Sequence, residues 1–104
     1  MRRGEIWQAN LPFPTNPRPV LILSRDNMPA GRQEITVAYV TTKLRNTPAQ
    51  VQLTPSEGLR RLSEVNLDSI NTISKKLLVK RICALSSIRM LEVAAAVTFA
   101  LDLS

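Results

Sequence analysis

The segment TNPRPVLILS, residues 15–24, places one arginine between two prolines and directly in front of an uninterrupted apolar run. A short apolar run of this kind, bounded by turn-forming residues, is typical of a strand that is buried on both faces. We therefore predict a central strand over residues 19–24. Because Pro17 and Pro19 restrict the backbone on either side of Arg18, the chain holds a guanidinium group where this strand begins.

The segments on either side of the central strand have the patterns of further short strands. Alternating or β-branched residues predict strands over residues 4–11, 34–42, 50–54 and 64–73. A bulge is expected in the last of these, near Asp68 or Ser69. Residues 74–85 predict a short helical turn followed by another strand, whereas the proline-rich residues 12–18 predict a loop.

The C-terminal segment differs in kind. It is rich in Ala, Leu and Met, and it predicts one helix over residues 87–103 with Ser86 as its N-cap. Four residues at helical spacing are expected to pack on the sheet: Ile88, Leu91, Ala95 and Phe99. The strand connections are too short for parallel crossovers, so we predict a single mainly β (α+β) domain over residues 1–104, a small antiparallel β-barrel with a C-terminal helix.

The composition limits the partners that the chain can have. Fourteen Lys and Arg against eight Asp and Glu give a net charge of +6 over 104 residues, which favours a polyanionic partner such as nucleic acid. Aromatic residues make up only 4% of the chain, which argues against extended base-stacking surfaces. No apolar run reaches the roughly 20 residues that span a bilayer, and no secretory signal is evident. We expect a soluble cytoplasmic protein.

The residue types that are missing limit the chemistry. The chain has no histidine and a single cysteine, Cys83, so it can form neither an internal disulfide nor a Ser-His, Cys-His or His/Cys zinc site. The spacing of the carboxylates does not indicate a metal site either. Any catalysis must therefore depend on Arg, Lys, Thr, Ser, Tyr or a lone carboxylate, and we expect no cofactor.

Five segments occur in an order that resembles one family. They are RGEIWQANLP, RPVLILS, ITVAYVTT, VNLDSINTI and the helical pattern LS…M.EV..AV..AL.L, and together they span nearly the whole chain. The chain resembles the MazF/PemK/Kid toxins of type II toxin–antitoxin systems. This resemblance implies an SH3-like barrel with a terminal helix, which forms a homodimer. It also implies a metal-independent endoribonuclease that cuts single-stranded RNA at short sequences through 2′-OH attack, inhibits translation and growth, and binds an antitoxin with an acidic C-terminal segment.

The resemblance also implies site residues. Arg18 matches the strand-entry arginine of the family and Thr41 the strand-end threonine, while Asp68 matches an acidic position proposed as a general base. Four further residues are expected to contact RNA: Asn16, Thr42, Lys43 and Arg45. The chain departs from the family pattern at Asn66, Ser69 and Asn71, where some members carry a cation or an amide.

Two other functions fit the same sequence. CcdB-like toxins share the barrel but poison DNA gyrase, and they depend on apolar residues near the end of the C-terminal helix, where this chain ends TFALDLS. The departures around Asp68 are also consistent with a catalytically inactive member that only binds nucleic acid or antitoxin. Arg18 and Thr41, which a gyrase poison would not need, favour the nuclease.

Overall fold

A computed structural model describes residues 1–103. It contains six strands and one α-helix, with 3₁₀ turns at Pro55–Glu57 and Lys75–Leu77. The elements are β1 (Glu5–Ala9), β2 (Arg18–Ile22), β3 (Glu34–Thr41), β4 (Gln50–Leu53), β5 (Ser63–Ser74), β6 (Leu78–Ala84) and α1 (Ser87–Ala100). No helix within these residues has the length and apolar character needed to cross a membrane.

The six strands form one sheet in the order β4-β5-β3-β2-β1-β6, and every neighbouring pair is antiparallel. The predicted central strand is confirmed, because β2 lies between β1 and β3 and its residues Val20, Leu21 and Ile22 are all buried. The mainly β fold with a C-terminal helix is also confirmed. Within residues 1–103, however, the edge strands β4 and β6 do not pair with each other, so the sheet remains open and does not close into a barrel.

The apolar side chains of the sheet form two clusters, one against each face. Leu21 belongs to one cluster, whereas its neighbours Val20 and Ile22 belong to the other. Successive residues of a strand point to opposite faces, so β2 contributes to both cores. The cluster that contains Leu21 also receives Val93 and Ala96 from α1.

The predicted bulge in β5 is confirmed. Ala38 of β3 pairs with Ile70, but the next residue, Tyr39, pairs with Asn66, so residues 67–69 project from the regular ladder. The exposed side chain of Asp68 lies at the middle of this bulge. A bulge of this kind bends the strand and increases its local twist.

The predicted packing face of the helix is wrong. Ser86 caps α1 as expected, since its hydroxyl accepts the Arg89 N–H at 3.1 Å. The buried residues, however, are Val93 and Ala96, whereas Ile88 is 70% exposed and Leu91 is 72% exposed. Ala95 and Phe99, the other two members of the predicted face, are also exposed. Ten of the fourteen residues of α1 are apolar, so two faces satisfy the helical spacing. The face that contains Val93 and Ala96 is the one that packs on the sheet.

Candidate active site and nucleic-acid interface

A cleft of about 940 Å³ lies where β2 begins and β3 ends. Its lining includes five cationic residues: Arg18, Arg60, Arg61, Lys80 and Arg81. Among the residues that the structure describes, no carboxylate lines this cleft. A concave surface with charge of one sign attracts and concentrates a ligand of the opposite sign. The cleft is therefore suited to a polyanion.

Arg18, the first residue of β2, is held in the cleft by contacts on two sides. Its Nη2 donates to the carbonyl oxygen of Thr15 at 2.9 Å, and its guanidinium carbon lies 5.8 Å from the centroid of the Tyr39 ring. Within residues 1–103, the buried Nε has no hydrogen-bond partner. Backbone and ring therefore orient a guanidinium that lines the cleft, and arginine can form two parallel hydrogen bonds to an anion.

Thr41, the last residue of β3, lines the same cleft. Val20 of β2 pairs with Tyr39 of β3. When the same register is continued by two residues, Arg18 lies opposite Thr41, and both residues line the cleft. The Thr41 hydroxyl oxygen accepts the Lys43 N–H at 3.1 Å, so its own proton remains free to be donated. The sequence predicted both residues, and the sheet register brings them together.

Glu64 supports the loop that follows Thr41. It is only 1% exposed, and its carboxylate accepts the backbone N–H groups of Arg45 at 2.9 Å and Asn46 at 3.0 Å. A buried charged group is costly unless such donors satisfy it. The sequence analysis assigned no function to Glu64, and its position in the alternating segment SEVNL gives no sign that the carboxylate is buried.

The other predicted RNA-binding residues divide into two groups. Thr42 lines the cleft, whereas Asn16, Lys43 and Arg45 are exposed in loops and do not line it. Asn16 adopts a left-handed backbone conformation with φ at 65°, which asparagine tolerates well. These three loop residues remain predictions.

Asp68 does not line the cleft. Its backbone N–H donates to the Asn66 side-chain oxygen at 3.0 Å, and the Asn66 amide donates to the Ser69 hydroxyl at 3.1 Å. Two of the positions at which the chain departs from the family pattern thus build the bulge itself. The predicted function of Asp68 as a general base remains a hypothesis.

Four of the five cleft cations were missed by the sequence analysis. Arg60 and Arg61 lie in the loop between β4 and β5, and Lys80 and Arg81 lie in β6. Arg81 forms a salt bridge with Glu5, with Nε and Oε2 2.9 Å apart. The only signal was two pairs of adjacent cations, RR and KR, far apart in sequence, and only the fold brings them to one cleft.

Within residues 1–103, no group of three or more Cys, Asp and Glu side chains is placed to hold a metal ion. The groups that the cleft offers to a ligand are guanidinium, ammonium and hydroxyl donors. Such donors can bind and neutralise a phosphate.

Comparison with known proteins identifies the family of this chain. Residues 2–101 match the family described as PemK-like, MazF-like toxin of type II toxin–antitoxin system. The probable endoribonuclease MazF5 of Mycobacterium tuberculosis is 38% identical over 103 residues, which cover 98% of this chain and 94% of that protein. The probable endoribonuclease MazF of Mycolicibacterium smegmatis is 31% identical over 97 residues, 88% of each chain.

Two solved structures are similar over almost the whole chain. The Mycobacterium tuberculosis toxin MazF-mt6 has a TM-score of 0.88 and 32% identity, with 96% of this chain and 98% of that one covered. An endoribonuclease in complex with its cognate antitoxin, from Mycobacterial species, has a TM-score of 0.89 and 26% identity, with 100% and 97% covered. The chain therefore belongs to the PemK-like, MazF-like toxins of type II toxin–antitoxin systems.

Proposed function

We propose that this protein is a metal-independent endoribonuclease that cuts single-stranded RNA at short sequences, and that its cleft is the active site. The observation that carries the proposal is the placement of Arg18 and Thr41 at the facing ends of β2 and β3, inside a cleft lined by cations. Relatives that match nearly the whole chain are named endoribonucleases, which supports the same activity.

The reaction uses the RNA's own 2′-OH as the nucleophile. Its oxygen attacks the adjacent phosphorus, the bond to the 5′-oxygen breaks, and a 2′,3′-cyclic phosphate forms. The 2′-OH proton goes to a base, and the departing 5′-oxygen receives a proton. Arg18 stabilises the charge that develops on the phosphorane oxygens, and the Thr41 hydroxyl donates a hydrogen bond to one of them.

The mechanism also needs an acceptor for the 2′-OH proton. Asp68 is our candidate because it matches the family's acidic position, yet it lies in the β5 bulge outside the cleft lining. A carboxylate can accept the 2′-OH proton only within hydrogen-bonding reach of it, directly or through one water. Asp68 can therefore act as the base only if its carboxylate reaches the 2′-OH next to the phosphate held by Arg18 and Thr41.

We propose that a cognate antitoxin with an acidic C-terminal segment occupies the same cleft. A similar endoribonuclease has been solved in complex with its cognate antitoxin. Five cations and no described carboxylate line the cleft here, so an acidic peptide would bind it with an affinity that falls as salt rises.

We also propose that the protein is a homodimer and acts in the cytoplasm, where it meets the RNA that is being translated. The outer face of α1 supports the dimer. Ile88, Leu91 and Phe99 are 70%, 72% and 58% exposed, which leaves three large apolar side chains of one helix in contact with water. An exposed apolar surface of this kind marks an interaction site.

The experiment that tests the proposed activity is cleavage of a long, mixed-sequence RNA by the purified protein in EDTA. The same assay is run with Arg18→Ala and with Arg32→Ala, which removes an equal charge from an exposed loop outside the cleft. We expect discrete cuts by the wild type and by Arg32→Ala, and none by Arg18→Ala. Intact RNA with the wild type would contradict the nuclease and favour a gyrase poison or an inactive binding protein.

A further inference from the structure

We propose that Arg60 and Arg61 hold the RNA backbone in the cleft, and that an ion pair between Glu57 and Arg89 of helix α1 positions them. This inference rests on the proposed endoribonuclease function. It assigns substrate-binding residues that lie outside the pair Arg18 and Thr41, and it gives α1 a function in the site.

The ion pair connects the loop between β4 and β5 to the helix. The Arg89 Nε donates to Glu57 Oε1 at 2.9 Å, and its Nη2 donates to Oε2 at 3.0 Å. Glu57 also accepts the Thr54 N–H at 2.8 Å, and Arg89 Nη1 donates to Glu92 at 3.0 Å. Hydrogen bonding to Arg89 lowers the pKa of Glu57, so this carboxylate is charged at neutral pH. A bidentate pair of this kind fixes orientation as well as distance.

Three further contacts hold the backbone next to the two arginines. Gly58 has φ at 114°, and a Cβ atom added there would lie only 2.7 Å from the Cβ of Cys83 in β6. Leu59 is 8% exposed and belongs to the same apolar cluster as Val93 of the helix. On the other side, the Ser63 hydroxyl donates to the Arg61 carbonyl oxygen at 2.9 Å. The segment is therefore anchored on both sides of Arg60 and Arg61.

Arg60 and Arg61 themselves are free to bind a ligand. Both are exposed and line the cleft, and within residues 1–103 neither has a carboxylate oxygen within 4.0 Å. Because the backbone of this segment is anchored, less freedom is lost when the two guanidinium groups bind phosphate than would be lost from a mobile loop. RNA is the ligand that the geometry favours, because a strand whose reacting phosphate lies at Arg18 and Thr41 carries further phosphates along the same cleft.

The first test measures binding of an RNA that cannot be cut because the nucleotide at the cleavage site is 2′-deoxy. Affinity is measured at salt concentrations between about 50 and 200 mM. Each lost contact with a phosphate of single-stranded RNA makes the slope of log K against log salt less steep by about 0.7. We expect Arg60→Gln and Arg61→Gln each to reduce the slope by that amount and leave the sequence preference unchanged, since phosphate contacts carry no base information. Arg32→Gln, an equal charge change in an exposed loop, should leave the slope unchanged.

The second test separates a positioning function from a merely structural one. Arg89→Gln and Glu57→Gln should raise KM about tenfold and change kcat less than about twofold, because charged hydrogen bonds are lost away from the reacting atoms. If Arg89 acts through Arg60 and Arg61, adding Arg89→Gln to the double variant Arg60→Gln/Arg61→Gln should cause no further rise in KM. If the effects of the substitutions on KM are fully additive instead, the positioning function is overturned.

The outcomes also distinguish this inference from the function on which it rests. If the wild type cuts RNA but Arg60→Gln and Arg61→Gln have the same salt slope and KM as the wild type, only the inference is overturned. In that case the two arginines are expected to bind a peptide partner instead of RNA. A wild type that neither binds nor cuts RNA would overturn the proposed function together with the inference.

Discussion

Thr41 and Glu64 are cross-strand partners, the first exposed to the cleft at the end of β3 and the second buried in β5. The Glu64 carboxylate accepts two backbone N–H groups from the loop that begins immediately after Thr41. The position of the proposed catalytic hydroxyl of Thr41 therefore depends on the Glu64 carboxylate, which is buried and does not line the cleft. Support of this kind keeps a reacting group in place without occupying the cleft.

Glu64→Gln removes the charge and replaces one acceptor oxygen with a donor. One of the N–H groups of Arg45 and Asn46 then loses its partner in a buried position, so we expect the free energy of unfolding to fall by about 1–3 kcal/mol. Urea denaturation measures this change. Glu34→Gln, the same substitution at an exposed strand end, is the matched control. If the two variants have the same free energy of unfolding, the buried hydrogen bonds of Glu64 contribute little to stability.

Thr41→Val and Thr42→Val distinguish the two hydroxyl groups at the end of β3. Both threonines line the cleft, but the register with β2 brings Thr41 opposite Arg18. We expect kcat to fall about 100-fold for Thr41→Val, since a lost transition-state donor costs that much, and to change little for Thr42→Val. Single-turnover cleavage of a short RNA measures both. The reverse result would transfer the proposed function to Thr42.

Asp68→Asn tests the proposed proton acceptor. If Asp68 is the base, kcat falls at least about 100-fold and the rate loses its dependence on the ionisation of that group. The pH profile of kcat checks this, with Asn71→Asp as a companion variant that adds a carboxylate elsewhere in β5. Full activity of Asp68→Asn would exclude Asp68, which the structure places outside the cleft lining.

Glu57 should make stability depend on pH. Its pKa in the folded protein is lowered below 4.5, first by the hydrogen bonds from Arg89, so its stabilising contribution is present above 4.5 and is lost as the pH falls through the lowered value. The stability difference between wild type and Glu57→Gln should therefore be largest near neutral pH and shrink in acid. Urea denaturation across this range measures it.

The same comparison in an Arg89→Gln background is the control. Without the guanidinium, Glu57→Gln should have a smaller effect on the pH dependence, because the main cause of the lowered pKa has been removed. An unchanged pH dependence would assign the effect to the Thr54 N–H instead.

Leu91→Glu tests the proposed dimer. Leu91 is 72% exposed, so the substitution should leave the folded monomer stable while it places a charge in the apolar face of α1. We expect sedimentation to show a dimer for the wild type and a monomer for Leu91→Glu. Phe13→Glu, at a residue that is 86% exposed in the loop between β1 and β2, should remain dimeric. A dimeric Leu91→Glu would place the interface elsewhere.

Local patterns predicted the strands well and the site only in part. The apolar run before Ser24 and the β-branched segment ending at Thr41 are decided by neighbours in sequence, and both strands formed as expected. The helix face was predicted incorrectly because ten of the fourteen residues of α1 are apolar and more than one face has the helical spacing. Arg60 and Lys80 could not be connected from sequence, because their segments lie toward opposite edges of the sheet. Only the three-dimensional fold of the sheet brings the loop between β4 and β5 against β6 and both cations into one cleft.

The order of the strands also separates two properties that evolution can change independently. Arg18 and Thr41 lie on β2 and β3, each of which is hydrogen-bonded on both sides, whereas Lys80 lies on the edge strand β6 and Arg60 lies in a connecting loop. Substitutions at an edge or in a loop disturb fewer hydrogen bonds than those in the middle of a sheet. One toxin scaffold can thus change how strongly it holds a polyanion at its rim without disturbing the residues at its centre.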